Sequence, residues 1–215
     1  MSELSILYQS VLEGDAKTAV AVTKEALAAG VDPSVLVTQY MIPAMAEVGQ
    51  RFECQQYYVP EVLLAARAMK GALELIRPVL AAKGAKPAGK VVIGTVKGDL
   101  HDIGKNLVAS MLEGAGFEVA DLGVDVPPAK FVAELQSRNA GILALSALLT
   151  TTMPSMERTI EELKKAGLRE KVKVMIGGAP VTQQYADQIG ADAYSDNANG
   201  AVAAARRFVG AQPRP

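Results

Sequence analysis

The nonapeptide GDLHDIGKN, residues 98–106, holds the only histidine of this 215-residue chain, with Asp99 two positions before His101 and Asp102 directly after it. Side chains two apart do not face each other on a helix. In extended backbone they share a side, roughly 7 Å apart at about 3.3 Å per residue. A carboxylate so placed can hold one imidazole nitrogen and leave the other facing outward. That fixes the tautomer and raises the basicity of the free nitrogen, as a metal-ligating histidine requires. The same residues would also suit a plain helix entry, in which Asp99 or Asp102 caps and His101 is an exposed loop residue. Asp102 is the better cap of the two. Gly98 and Gly104 would let the backbone and a bulky ligand come close.

One imidazole cannot hold a bare metal ion well, and the single cysteine, Cys54, adds only one more soft ligand. An internal disulfide framework and a structural zinc site are both excluded. A metal at His101 must therefore bring its own coordination shell. Cobalt in a corrin ring does so, because the macrocycle supplies the equatorial nitrogens and leaves the protein one axial position.

Two kinds of element must position these residues. Up to residue 83 the chain reads as helix. A first helix over 3–13 stops at Gly14, and Asp15 caps a second that runs to Gly30. Asp32 and Pro33 open a third, which Pro43 should kink. A fourth begins near Pro60, with Val62, Ala66, Met69, Leu73, Ile76 and Leu80 on one stripe and Arg67, Lys70, Glu74 and Arg77 opposite. Four such helices with short connections indicate an antiparallel four-helix bundle. Glu47 and Glu61 read as surface or capping carboxylates. A linker over 84–89, within KGAKPAG, separates this domain from a second that starts at residue 90. There, β-rich runs at 90–96, 117–123, 141–147, 171–177 and 191–195 alternate with helical segments near 103–115, 128–138, 154–166, 181–189 and 198–209. Continuous apolar strands separated by helices predict a doubly wound, flavodoxin-like parallel sheet of five strands. Its ligands bind at the carboxyl ends of the strands, where GDLHDIGKN falls.

With 22 basic and 23 acidic side chains the net charge is −1, and no run of one sign offers a footprint for nucleic acid or an anionic membrane. No stretch approaches the about 18 apolar residues of a membrane span. The N-terminal MSELSILYQS lacks the basic and apolar regions of a secretory signal, so the expected location is cytoplasmic.

Three motifs in order carry a resemblance. DLHDIG, residues 99–104, resembles the D-x-H-x-x-G motif of cobalamin-binding domains. SAL, residues 146–148, matches the accompanying S-x-L, and Gly177–Gly178 match their paired glycines. With the helical segment before them, residues 3 to 210 are similar to the corrinoid proteins of methyltransferase systems and to the cobalamin-binding region of methionine synthase. The resemblance implies that His101 is the lower axial ligand of cobalt in a base-off cobalamin. It implies that Asp99 binds His101, and that Ser146 continues the relay. It also implies that the displaced nucleotide tail runs past Gly104, Ser146, Leu148, Gly177 and Gly178. Read without it, the glycines suit an ordinary strand-to-helix turn and Ser146 a capping or buried hydroxyl.

The helical domain would cap the upper corrin face, with Tyr58 and Met69 as candidates, although Tyr58–Val59–Pro60 stands where relatives carry Phe-Leu-Pro. Val62, Ala66 and Met69 suit the bundle core better than a cap. The implied function is methyl carriage, with cobalt cycling between Co(I) and methyl-Co(III). Its partners would be a substrate:corrinoid methyltransferase, a corrinoid:acceptor methyltransferase linked to tetrahydrofolate, tetrahydromethanopterin or coenzyme M, and a reductive activase. The linker would act as the hinge that uncovers the cofactor for them. Such a chain would have no turnover alone. A cobalamin-dependent sensor is the alternative from a different class, but it would usually add a DNA-binding module.

Overall fold

The computed structural model describes residues 3–82 and 86–210. By its internal contacts the chain divides into a first unit, ending at Pro87 and including Glu113–Gly116, and a second that begins at Ala88. The expected linker spans this division, and its residues 84 and 85 lie outside the described ones.

Four helical rods pack together in the first unit: α1 (Glu3–Glu13), α2 (Ala16–Ala28), a composite third and α5 (Val59–Ala82). The local chemistry sets their ends. Gly14, at φ +77, ends α1 and lets the Asp15 N–H return to the Ser10 carbonyl at 2.8 Å. Asp15 then caps α2 by accepting the Thr18 N–H at 3.0 Å. The third rod starts at Asp32 and Pro33 as α3 (Pro33–Val35), widens into a π-helical stretch at Leu36–Met41, and continues as α4 (Ile42–Glu53). The kink expected at Pro43 takes this form. Proline has no N–H and its ring would crowd the carbonyl four residues back; the wider turn, with Ile42 N–H bonded to Val37 O, makes room for it.

The two carboxylates singled out from the sequence of this unit, Glu47 and Glu61, both make structural bonds. Glu61 accepts the Tyr58 N–H at 2.9 Å at the start of α5. Glu47 bonds Tyr8 and Arg51, and burial followed by the Glu47 bond pushes the Tyr8 phenol up to about 12.

The second unit is a five-stranded parallel sheet in the order β2-β1-β3-β4-β5. Its strands are β1 (Lys90–Thr95), β2 (Glu118–Asp121), β3 (Ile142–Ser146), β4 (Lys173–Gly177) and β5 (Ala193–Ser195). Helices α6 (Ile103–Gly114), α7 (Pro128–Arg138), α8 (Pro154–Lys165), α9 (Gln183–Ile189) and α10 (Ala198–Phe208) follow the strands in turn. β1, β3 and β4 are buried almost throughout, which explains their unbroken apolar sequences. Val92, Leu143, Leu145, Val174 and Ile176 meet Phe131, Leu135, Met156, Ile160 and Leu163 from α7 and α8 in one core. Among the described residues, no helix is long and apolar enough to cross a membrane.

The carboxyl edge of the sheet closes tightly at the paired glycines. A Cβ on Gly178, at φ +132, would overlap the Ala147 carbonyl; one on Gly177 would lie 2.9 Å from the Ser195 oxygen. By contrast, nothing lies within 4 Å of a Cβ placed on Gly104. Gly178→Ala should therefore cost more than about 3 kcal/mol of stability. Gly104→Ala should be neutral or stabilising by up to about 1 kcal/mol, as helix propensity dictates. Urea denaturation of the two variants distinguishes a glycine demanded by the backbone from one with free space.

Candidate functional site

In the strand order 2-1-3-4-5 the chain leaves β1 toward one side and β3 toward the other. The crevice between their carboxyl ends is the switch point at which sheets of this type bind ligands. The loop from Lys97 to Asp102 follows β1, and residues 147–153 follow β3. Asp99 joins them. Its carboxylate is fully buried, and each oxygen accepts two hydrogen bonds. Oδ1 takes the His101 N–H at 3.0 Å and faces the His101 Nδ1 at 2.7 Å; Oδ2 takes the Leu148 N–H at 2.8 Å and the Thr152 hydroxyl at 2.7 Å.

Burial is the largest single influence on Asp99 and would raise its carboxyl. The Thr152 hydroxyl, the His101 and Leu148 N–H groups and the His101 ring together outweigh it, and hold the acid well below the usual carboxylate range. An ionised carboxylate can only accept, so Nδ1 carries the proton and the Nε2 lone pair is left available. Nε2 has no partner among the described residues, and the His101 side chain is 50% exposed. Its main chain is equally defined, because Thr95, fully buried on β1, donates its hydroxyl to the His101 carbonyl at 2.8 Å.

Apolar side chains surround this polar centre in the sequence and are left uncovered. Leu100 and Ile103 are 72% and 73% exposed, and Leu148 and Leu149 are also exposed. Four large hydrophobic residues open to solvent on two neighbouring loops and the first turn of α6 suit an apolar ligand with a broad surface. The donor set fits a metal that carries its own ligands. Among the described residues, no group of three or more His, Cys, Asp or Glu side chains could hold an ion.

The structure brings Asp99, His101 and Leu148 together, Leu148 through its amide. Ser146 pairs with Thr95 and Gly177 across the sheet, but its hydroxyl makes no hydrogen bond among the described residues. The relay expected through Ser146 is made by Thr152. The reason is geometric: the chain turns back after β1, with Asp99 N–H on the Val96 carbonyl at 3.1 Å, and its carboxylate meets the loop after β3 instead of the strand's last residue. Asp102 stands at the cap position of α6. Its carbonyl accepts the Asn106 N–H at 2.7 Å, and its carboxylate takes the Asn106 side-chain amide at 3.0 Å in place of a backbone N–H. Lys105 turns inward, 3% exposed, to pair with Asp121. In the helical unit Tyr58 is 63% exposed, whereas Met69 is buried.

Thr95, Thr152 and Asp125 were not anticipated from sequence. The signal for the last two was their place: each lies in a loop at the carboxyl end of a strand, and every such loop borders the site.

Asp99 contributes stability because its pKa is lowered in the folded protein. That contribution is fully present above the unfolded value, near about pH 4, and is lost as pH falls further toward the folded value. Asp99→Asn turns an acceptor into a partial donor among four donors, and should cost about 2–4 kcal/mol at pH 7. Urea melts at a series of pH values should show the gap between the two proteins narrowing below about pH 4.

Residues 89–205 match the family model described as the B12 binding domain, and residues 5–77 match a second model of the same description. The chain is 48% identical over 196 residues to trimethylamine corrinoid protein 2 of Methanosarcina mazei, covering 90% of each chain. It is 46% identical over 194 residues to dimethylamine corrinoid protein 1 of Methanosarcina acetivorans, covering 90% of this chain and 91% of that one. The solved methanol:cobalamin methyltransferase complex of Methanosarcina barkeri superposes with a TM-score of 0.87 at 30% identity, over 98% of this chain and 81% of that one. A cobalamin-binding protein of Desulfitobacterium hafniense gives 0.77 at 34% identity, over 95% and 98%.

Proposed function

The chain belongs to the family of B12-binding corrinoid proteins of methyltransferase systems, and from that premise we propose that it carries methyl groups taken from a methylated amine, with His101 as the lower ligand of its corrinoid. The observation that carries this reading is the Asp99–His101 pair. It is a buried, ionised carboxylate on Nδ1, with a half-exposed imidazole whose Nε2 is left free.

A corrinoid held there would supply a cobalt centre able to take up and pass on a methyl group. The chain's own residues do the rest. Asp99 keeps the proton on Nδ1, so that Nε2 is the nitrogen left to offer a lone pair. Thr152 and the Leu148 N–H hold Asp99 ionised, and this sets the electron density that the imidazole can donate. Leu100, Ile103, Leu148 and Leu149 provide apolar contact that keeps water from the lower face. Gly104, with nothing within 4 Å of a Cβ placed on it, leaves room beside the α6 N-terminus for the displaced nucleotide tail, whose path would continue by Ser146, Gly177 and Gly178.

On this reading the donor enzyme is a methylamine:corrinoid methyltransferase, as the names of the relatives suggest. A second methyltransferase receives the methyl group, and a reductive activase restores cobalt that has been oxidised. The test uses the full chain loaded with cobalamin. With a trimethylamine- or dimethylamine-specific methyltransferase and its amine, the reduced protein should be converted to the methylated form in the visible spectrum. A response to methanol and its methyltransferase alone would overturn the amine assignment. In His101→Ala the nitrogen hyperfine pattern of the imidazole should vanish from the Co(II) resonance spectrum, and an unchanged pattern would sink the ligand assignment.

A further inference from the structure

Three consecutive residues of the loop that carries His101 are held by one residue of another loop. Asp125, between β2 and α7, accepts the Gly98 N–H at Oδ1 (2.8 Å) and the Lys97 ammonium at Oδ2 (2.9 Å). Its own N–H donates to the Asp99 carbonyl at 2.9 Å. To make these bonds Asp125 adopts φ +53, a left-handed conformation disfavoured for any residue but glycine, though better tolerated by aspartate than by most. The conformation is enforced from the next residue. The Val126 N–H bonds the Thr95 carbonyl at 3.0 Å, and Val126 bridges Val96 beyond the end of β1. Gly98 answers with φ +88 on the facing strand of the turn. The Gly98 N–H, followed by Lys97, holds the Asp125 carboxyl below its ordinary range, so the acceptor stays ionised at neutral pH.

We infer that Asp125 is a positioning residue for the histidine ligand: it fixes the Lys97–Asp99 turn, and so presets the Asp99 carboxylate and the imidazole before the cofactor arrives. The inference rests on the reading of His101 as the cobalt ligand. It assigns Asp125 no contact with the cofactor. Besides the bonds of the Asp99 carboxylate to the loop after β3 and of Ser155 to the Lys97 carbonyl, the loop is held by Thr95 on the His101 carbonyl and by Asp125 on Lys97, Gly98 and Asp99. Removing either should loosen the ring without touching it. Lys97, largely exposed, adds little beyond neutralising the carboxylate.

The test is Asp125→Gly, which accepts φ +53 without strain and keeps the backbone N–H while deleting both acceptor oxygens. Asp125→Asn serves as the rescue, since it retains an oxygen for the Gly98 N–H. In the cofactor-free protein, amide exchange at Gly98 and His101 should quicken by about tenfold or more in Asp125→Gly, the worth of one lost hydrogen bond. The amides of β3 and β4 should stay unchanged, and Asp125→Asn should remain near wild type. In the cobalamin-loaded Co(II) protein, the share of molecules showing imidazole hyperfine splitting should fall in Asp125→Gly and recover in Asp125→Asn. Unaltered exchange at both amides overturns the inference, and so does a full imidazole signal in Asp125→Gly. A wild-type protein without imidazole splitting would instead overturn the ligand reading, and the exchange data would still decide whether Asp125 holds the loop.

Discussion

The site depends on one buried negative charge. Asp99 joins the loop after β1 to the loop after β3, and its four hydrogen bonds come from both. A carboxylate in that position, if unpaired, would be strongly disfavoured by desolvation. With every acceptor position engaged it becomes a fixed anion that decides the imidazole tautomer. Nearly everything else at the carboxyl edge follows from keeping this charge satisfied. Thr152 must face inward, the Leu148 amide must turn away from the sheet ladder, and the chain must reverse after Val96 to bring Asp99 back.

The parallel sheet makes this convergence possible. Its strands all end at one edge, so residues 27 and 49 positions away from Gly98 and Asp99 in sequence arrive within hydrogen-bond distance of them. The switch between β1 and β3 separates the helices that follow those strands and leaves a crevice. The backbone at this edge is correspondingly demanding: Gly98, Asp125 and Gly178 all have positive φ. The polar bonds fix the His101 ring, and the uncovered Leu100, Ile103, Leu148 and Leu149 leave an apolar surface in the same loops and the first turn of α6.

The architecture was legible in the sequence because its signals are local. Apolar runs of strand length between helical periods located every strand and helix of the sheet unit to within two residues at either end, and caps such as Asp15 and Asp32 beside Gly14 and Gly30 marked helix starts and stops in the first unit. Asp99 and His101 were legible too, since a spacing of two in extended backbone has few readings. What escaped lies between elements. Thr152 is one of three successive threonines, and no pattern selects it. Asp125 looks like an ordinary turn residue, and only the pairing of Val126 with β1 brings it to the Lys97–Asp99 turn. The stripe on α5 likewise could not separate a candidate contact from packing, and Met69 proved buried where Tyr58 is open.

The glycines divide along the same line. Gly178 is required by the chain itself, since any side chain there would strike the Ala147 carbonyl, and its presence needs no ligand to explain it. Gly104 is different. It lies in the first turn of α6, where alanine would favour the helix, and nothing in the described residues occupies the space beside it. A residue that sacrifices helix stability without relieving a contact within the protein points to something outside the protein. Gly104 therefore supports a ligand alongside the α6 N-terminus more strongly than Gly177 and Gly178 do, although all three belong to the same set of motifs.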